Sequence, residues 1–203
     1  MVNKDQVHIS KLGGKLEDFQ AVSTNTVTNS FCIKMNSAKK NTICSHCYSH
    51  KSLGGYRKNM QEALQRNSDL LSKGPLKKSQ VPFINAAYFR FQAHGELINA
   101  VHYHNLIKIT RANPRTTFAL WTKRRDIVTT YSKRWGVPDN LILVYSNPDI
   151  NKVWDGVPRF FHRVFNNVTD EYKGEANCTG QKCKDCLLCY QFDTTKTIIE
   201  HVK

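Results

Sequence analysis

Six cysteines fall into two groups whose spacing suits metal binding. The first group is an early Cys-x2-Cys pair, and the second lies near the end of the chain; together they are Cys44, Cys47, Cys178, Cys183, Cys186 and Cys189. In a reducing compartment, clustered thiols bind metals or do redox chemistry more often than they form disulfides. We therefore interpret these residues as ligands of a metal centre that ties the two ends of the chain together.

The spacing favours iron and sulfur over zinc. In Cys183-x2-Cys186-x2-Cys189, each three-residue step lets a loop wrap around a 4Fe-4S cluster, as in bacterial ferredoxins. Two-residue spacers also occur in zinc ribbons, so zinc is the alternative metal. Six thiols exceed the four that either centre normally takes, and the spacing leaves open which four bind. The seventh cysteine, Cys32, lies in a strand-like run and is interpreted as a small buried hydrophobic residue.

The elements that must position these thiols alternate between strands and helices. The pattern predicts strands at 27–35, 83–91, 116–121, 141–145, 160–165 and 197–202, with helices at 56–71, 99–113 and 123–135 and a long loop at 36–55. Such alternation predicts a parallel sheet covered by helices. A closed eight-unit barrel needs about 250 residues, so we expect an open or partial (β/α) barrel of five to six mainly parallel strands. The cysteine-rich C-terminal tail would close over one rim.

We expect one domain, since 203 residues suit a single core. Residues 1–26 would be an irregular or hairpin-like lead-in, 27–170 the partial barrel and 171–203 the cluster-binding tail.

The ends of the predicted strands carry polar residues that could bind a small molecule. In parallel sheets, function sits at the carboxyl ends of the strands. Glu96 could bind an amine, and Lys123 or Arg124 a carboxylate or phosphate; these three are the candidate catalytic residues. The candidate cofactor-binding residues are His94, Gly95, Ser146 and Asn147. Alternatively, Glu96 caps the following helix, and Lys123 and Arg124 are surface charges on the first turn of theirs.

Composition limits the partners and the location. The 30 Lys and Arg against 16 Asp and Glu give a formal net charge of +14, which favours nucleic acid as a partner, although the basic residues are scattered and also suit a solvated surface. No apolar run is long enough to cross a bilayer and the first residues lack an export signal, so we expect no membrane partner and a cytoplasmic protein. Hydrolase and phosphate-loop motifs do not occur.

Three motifs resemble one phage family. Cys44-Ser-His-Cys47-Tyr48, the segment from Arg90 to Gly95-Glu96, and the cysteines from 183 to 189 followed by Tyr190 are similar in type and order to the motifs of the gene product eighty-eight proteins. The resemblance spans about residues 28–190. It implies a phage-derived protein in the host cytosol.

A looser resemblance is to the radical S-adenosylmethionine enzymes. They have a partial barrel, a three-cysteine loop after the first strand that holds a 4Fe-4S cluster, and a Gly-Glu at the end of the second strand that binds the amino group of S-adenosylmethionine. Cys44, Cys47 and Gly95-Glu96 correspond in layout. This sequence departs from that family in lacking the third cysteine of the loop, since Lys40 occupies the position four residues before Cys44. A cluster bound by three thiolates would have one iron free to bind a ligand, as a catalytic zinc ion with three protein ligands has a free position. A cluster bound by four thiolates would have no free position.

Two functions follow. The first is an iron-sulfur protein with one oxygen-sensitive 4Fe-4S cluster, acting in redox or radical chemistry on a small molecule, with its status as an enzyme left open. The second is a basic protein that is stabilised by a structural zinc ion and that binds nucleic acid or takes over a host process.

Overall fold

Seven strands form one open sheet in a computed structural model that describes residues 5–38 and 40–202. In chain order and in spatial order they are β1 (Ser10–Lys11), β2 (Gln20–Val22), β3 (Tyr88–Phe91), β4 (Thr117–Thr122), β5 (Leu141–Ile150), β6 (Arg163–Val168) and β7 (Thr197–His201). β1 pairs antiparallel with β2, and every other neighbouring pair is parallel. The α/β class and the mainly parallel sheet are confirmed. Within the described residues the sheet has seven strands, not the predicted five to six, and it does not close into a barrel.

Among the described residues, six α-helices accompany the sheet: α1 (Ser30–Ser37), α2 (Tyr48–Gly54), α3 (Gln61–Ser72), α4 (Ala100–Ala112), α5 (Arg125–Trp135) and α6 (Cys183–Cys186). The predicted helices at 56–71, 99–113 and 123–135 correspond to α3, α4 and α5. Asn99 begins α4 because its side-chain oxygen accepts from His102 N–H at 2.9 Å, which satisfies one unpaired donor of the first turn.

One expectation for the early chain was wrong. The segment 27–35, predicted as a strand, contains most of α1. The lead-in contains the antiparallel pair of β1 and β2, as its hairpin-like alternative predicts, and β2 is also the first parallel strand of the sheet. Local cap chemistry explains the difference, since the Asn29 side chain accepts from Phe31 N–H and Cys32 N–H and starts a helix. The loop predicted at 36–55 contains α2. Residues 1–4 of the lead-in, residue 39 of the loop and residue 203 of the tail lie outside the described residues.

The two faces of the sheet are covered differently. On one face, buried side chains of α3, α4 and α5 pack against the strands in the main core, as Leu71, Leu106 and Val128 do. On the other face, Trp121 and Ile142 contact a second core that includes Tyr190 from the tail and Phe19 from the lead-in. The rings of Tyr190 and Phe19 lie 4.6 Å apart between centroids. The two ends of the chain therefore cover the face that the long helices leave free.

Candidate functional site

A cavity of about 310 Å³ opens where the parallel strands end. Its walls combine strand ends, the segment from α1 to α2, and the cysteine-rich tail. The residues that line it include Cys32, Cys44, Cys47, Cys178, Cys183, Cys189, Arg90, His94, Gly95, Glu96, Trp121, Lys123, Ser146 and Tyr190. The expected meeting of early and late cysteines at one edge of the sheet thus has a counterpart in this cavity.

The early thiols are held by contacts to the strand ends. Asn29 caps the first turn of α1, which carries Cys32, and its amide donates to the Glu96 carbonyl at 3.0 Å. The turn that carries Cys44 is fixed to β5, because Ile43 N–H donates to the Pro148 carbonyl at 2.9 Å.

Cys47 begins α2, and its sulfur accepts from His50 N–H at 3.4 Å. Two residues further along the chain, the Ser49 hydroxyl lies 2.8 Å from His94 Nδ1 at the end of β3. The loop that sequence reasoning identified as functional is therefore ordered by hydrogen bonds to β3 and β5.

The late thiols are fixed to the last strand and to the lead-in. Cys178 N–H donates to the Ile199 carbonyl at 3.0 Å, beside β7. Lys15 Nζ lies 3.7 Å from Cys178 Sγ and forms an ion pair with Glu200. Further ion pairs join Lys182 to Glu17 and Lys184 to Asp18.

Cys183 and Cys186 are the ends of the one-turn helix α6, and Leu187 then takes a left-handed conformation, with φ of 52°, that turns the chain toward Cys189 and Tyr190. Cys186 does not line the main cavity. It lines a smaller cavity together with Cys178, Cys183 and Cys189.

Glu96 is a buried carboxylate at the centre of the site, only 4% exposed. Its Oε1 accepts from Leu97 N–H at 2.8 Å and from the Thr122 hydroxyl at 2.5 Å, and its Oε2 accepts from Lys123 N–H at 2.8 Å. The side chain therefore joins the ends of β3 and β4. The cap of α4 is Asn99, so the alternative helix-capping role of Glu96 does not apply. A carboxylate has about four acceptor positions, so one on Oε2 is left for a ligand.

Lys123 directs its ammonium into the cavity wall and donates to the Ser146 hydroxyl at 3.0 Å. Burial acts to lower the pKa of Lys123, but the surrounding Cys44, Glu96, Cys47 and Cys32 act to raise it, and the net pKa is above its ordinary value. Lys123 is therefore a charged group that faces the early thiols. The alternative interpretation, that Lys123 is a surface charge, does not apply.

His94 and Gly95 form the turn after β3. Burial, with smaller contributions from Arg57 and Arg90, lowers the pKa of His94 to about 4, so its imidazole is neutral near pH 7. Gly95 has φ of +92°, and a Cβ there would lie 2.1 Å from Thr24 Oγ1. Only glycine fits this position without strain, so Gly95 is required by the backbone whatever it does for a ligand.

The floor of the cavity on the second face holds Arg90 and Tyr190, whose side chains interact with each other. The Arg90 guanidinium carbon lies 3.9 Å from the centroid of the Trp121 ring. Arg90 Nε and the hydroxyl of Tyr190, a residue that is 2% exposed, are buried and make no hydrogen bond of ordinary geometry within the described chain. Buried polar atoms of this kind call for a ligand, a metal or water. Sequence reasoning missed both residues as site components, although Arg90 and Tyr190 belong to the motifs quoted above.

Two of the predicted site residues point elsewhere. The Arg124 guanidinium is paired with Asp126, at 2.7 Å from Nη2 to Oδ2, and donates to the Leu97 carbonyl. Asn147 is buried and uses its amide to bind the Lys152 carbonyl and the Asn166 side chain. Neither lines the cavity. Both residues shape the site from outside it.

Cys32 is the residue that sequence reasoning placed wrongly. It is half-buried on the first turn of α1, is not part of either hydrophobic core, and lines the cavity with Cys44 and Cys47. Burial, then Glu96 and Cys47, raise the pKa of its thiol above the ordinary value. No local sequence signal identified it, because the twelve-residue step from Cys32 to Cys44 is not a familiar ligand spacing.

The thiols of the cavity are not activated for nucleophilic chemistry. Burial raises the pKa of Cys44 and Cys183, and raises that of Cys189 to about 12, so these thiols stay protonated near pH 7. Reactive cysteines have lowered pKa values, whereas a metal would displace the protons. Within residues 5–38 and 40–202, no group of three or more His, Cys, Asp or Glu side chains is gathered closely enough to hold a metal ion. The thiols line one cavity, but in the described residues they are not arranged as a formed metal site.

The fold and the cavity together define an α/β protein with a cysteine-lined cleft at its strand ends. The chain belongs to the Gene product 88 family, a phage gene product family, whose model matches residues 10–198. Comparison with curated proteins and with solved structures finds no significant match. In the part of the chain that the structure describes, no helix has the length and apolar character needed to span a membrane.

Proposed function

We propose that this protein is an iron-sulfur protein that binds a small molecule beside its cluster, on a sheet that acts as a partial barrel like that of the radical S-adenosylmethionine enzymes. The observation that carries the proposal is one cavity, at the carboxyl ends of parallel strands, that is lined by cysteines from both ends of the chain. Protonated, buried thiols in a reducing cytosol favour metal ligation over disulfide or nucleophilic chemistry.

The fold supports the barrel-like part of this proposal. Strands that follow one another in chain order, with the long helices on one face, leave the opposite face free to surround a ligand. Here the tail and the lead-in cover that face. They do so without a further strand pairing between β1 and β7 among the described residues.

The small molecule would meet one positively charged side chain, Lys123, and one carboxylate, Glu96. The Lys123 ammonium can bind a carboxylate or phosphate, and the remaining acceptor position of Glu96 can take an N–H from an amine. A ligand with both groups, an amino acid or S-adenosylmethionine, matches this pair. When bound, a cluster with an open iron would supply electrons or coordinate that ligand, while Glu96 and Lys123 orient it.

The first experiment identifies the metal. The full chain is purified without oxygen and assayed for iron, acid-labile sulfide and zinc. We expect a brown protein with iron and sulfide in equal amounts and at least about four irons per chain. Colourless protein that carries zinc and no sulfide would refute the proposal.

The second experiment tests the ligand pocket with S-adenosylmethionine as the probe. Its binding to the reduced protein is followed by the change in the electron paramagnetic resonance spectrum of the cluster. We expect Glu96→Gln to weaken binding about ten-fold, or about 1.4 kcal/mol. The matched control is Glu62→Gln, because the Glu62 side chain is 84% exposed on α3. Equal affinity in the wild type and Glu96→Gln would remove Glu96 from the ligand site.

One surface feature favours the second candidate, nucleic-acid binding. Tyr48 and Tyr56 are exposed, and the Arg57 guanidinium lies 5.8 Å and 5.6 Å from their ring centroids. Exposed aromatic rings beside arginine are typical of surfaces on which bases stack. If this function holds, a single-stranded oligonucleotide binds with an affinity that falls steeply as salt is raised, and Tyr48→Ala weakens it. Absence of binding at low salt would dismiss this candidate.

A further inference from the structure

Arg90 is a cation of the cavity wall that has no carboxylate partner within the described residues. It lies on β3, at the second face of the sheet, and lines the cavity. The carboxylates among the described lining residues are Glu96 and Glu200, and both are engaged elsewhere. Glu200 is paired with Lys15, and Glu96 accepts from Lys123 N–H at 2.8 Å. The positive charge of Arg90 is therefore left unpaired by the carboxylates of its own cavity.

An arginine cannot remove this imbalance by losing its proton. The guanidinium stays charged in proteins, whereas the pKa of a buried lysine can fall. The Arg90 Nε is buried and makes no hydrogen bond of ordinary geometry within the part of the chain that the structure describes. A charged group that is held away from water is unfavourable unless a partner of opposite charge meets it. Arg90 thus calls for an anion at this point of the cavity.

The Trp121 ring holds the guanidinium in a position suited to such an anion. The guanidinium carbon lies over the ring, 3.9 Å from its centroid. An arginine that contacts an aromatic ring through its flat face keeps its N–H donors in the guanidinium plane, where they remain available. This planar fork matches two oxygens of a carboxylate or phosphate. Arg90 is therefore oriented before any ligand arrives.

The Tyr190 hydroxyl supplies a second donor beside the fork. Its ring is fixed by the rings of Phe19 and Trp121, at 4.6 Å and 5.6 Å between centroids. The hydroxyl interacts with Arg90. A guanidinium has no acceptor, so the tyrosine oxygen is the acceptor in this interaction and its O–H is left to donate. Arg90 and Tyr190 together can offer several donors to one anionic group.

We propose that Arg90 and Tyr190 form an anion-binding site, which takes the phosphate or carboxylate group of a small molecule. A cavity of about 310 Å³ suits a ligand of metabolite size. The site is distinct from the pair of Lys123 and Glu96, to which the amino-acid part of a ligand was assigned above. It goes beyond the iron-sulfur function and does not depend on it, because no metal takes part in the binding.

The test titrates the full chain with inorganic phosphate in phosphate-free buffer, followed by calorimetry. We expect Arg90→Gln to weaken phosphate binding about ten-fold or more, because it removes both the charge and the fork. Arg90→Lys keeps the charge alone and should lie between Arg90→Gln and the wild type. The matched control is Arg134→Gln, since Arg134 lies over the Trp135 ring at 4.7 Å but is exposed on α5, outside the cavity. That variant should bind phosphate as the wild type does.

Two further variants locate the anion within the cavity. Tyr190→Phe lacks only the hydroxyl and should weaken binding by a smaller factor, about three-fold. Phosphate binding that is unchanged in Arg90→Gln but lost in Lys123→Gln would place the anion at Lys123 and overturn the proposal. A parallel titration with acetate shows whether the site prefers a carboxylate to a phosphate. If the wild type binds neither anion, the proposal is wrong.

A measurement on the unsubstituted protein covers the case in which a variant does not fold. Phenylglyoxal, which modifies arginine side chains, is added with and without phosphate, and the modified residues are identified by mass spectrometry. Phosphate should protect Arg90 and leave the modification of Arg134 unchanged. A site that admits a ligand must also admit this small reagent. Failure to modify Arg90 without phosphate, or equal modification with and without it, would contradict the proposal.

Metal and sulfide are measured in the same samples, so that this proposal and the iron-sulfur function can fail separately. Arg90→Gln protein that loses metal but binds phosphate as the wild type does would overturn the anion site and assign Arg90 to the neighbouring thiols. Phosphate binding that depends on Arg90, in a protein that carries zinc and no sulfide, would refute the iron-sulfur function and support the anion site.

Discussion

Replacement of Gly95 with alanine should destabilise the protein strongly, because the new Cβ has no room. It would lie 2.1 Å from Thr24 Oγ1, 2.6 Å from the Thr24 carbonyl oxygen and 2.9 Å from Gln92 Oε1. The positive φ costs a residue with a side chain about 1–2 kcal/mol, and forcing an extra carbon into a packed site costs about 1–3 kcal/mol more. The free energy of unfolding should therefore fall by about 2–5 kcal/mol.

Thermal and chemical denaturation measure this loss. For a chain of this size, 1 kcal/mol corresponds to about 2–4 °C in Tm, so we expect Tm to fall by roughly 4–20 °C. Gly136→Ala is the matched control, since Gly136 also has a positive φ, +70°, but no atom lies within 4 Å of the position that its Cβ would take. That variant should lose only the conformational part, about 1–2 kcal/mol. Equal losses in Gly95→Ala and Gly136→Ala would refute the steric reasoning.

Three further outcomes are expected. The pKa of His94 is lowered by burial to about 4 from 6.5, so the unfolded chain binds the extra proton between these pH values. Lowering the pH through this window should reduce the free energy of unfolding by up to about 1.4 kcal/mol per unit, and a denaturation series with His94→Asn as the comparison measures it. Tyr190→Phe removes a buried hydroxyl that interacts with Arg90 without a hydrogen bond of ordinary geometry, so the unfolding free energy should change by less than about 1 kcal/mol; a larger loss would show that the hydroxyl makes a full hydrogen bond. Asn29→Ala and Asn99→Ala should each lower stability by about 0.5–2 kcal/mol through loss of a helix cap; under the proposed iron-sulfur function, only Asn29→Ala should also reduce metal content, because Asn29 orients the turn of Cys32 at the cavity.

Much of the fold after residue 56 could be predicted from the sequence. The helices α3, α4 and α5 follow apolar periodicity and end near glycine or asparagine, and the continuous apolar run of β5 indicates a strand buried on both faces. Six of the seven strands have a parallel partner, which strand-helix alternation predicts. The strand-end rule also identified His94, Gly95, Glu96, Lys123 and Ser146, which all line the cavity.

The early chain could not be predicted in the same way. Residues 31–35 are too few to separate a helical from a strand period, and the side chain of Asn29 decided the outcome. β1 and β2 are two and three residues long and gain their stability from pairing that no local pattern reveals. The importance of Cys32 and Arg90 depends on tertiary contacts with residues far along the chain. Arg124 and Asn147 follow the strand-end rule in sequence but turn away because Asp126 and Asn166 offer closer partners.

The ion pairs of Lys15 with Glu200 and of Lys182 with Glu17 have a consequence for the order of synthesis. The tail is synthesised long after the early cysteines, so the second face of the sheet stays uncovered while this part of the chain grows. Docking of the tail through these ion pairs then completes the wall of the cavity.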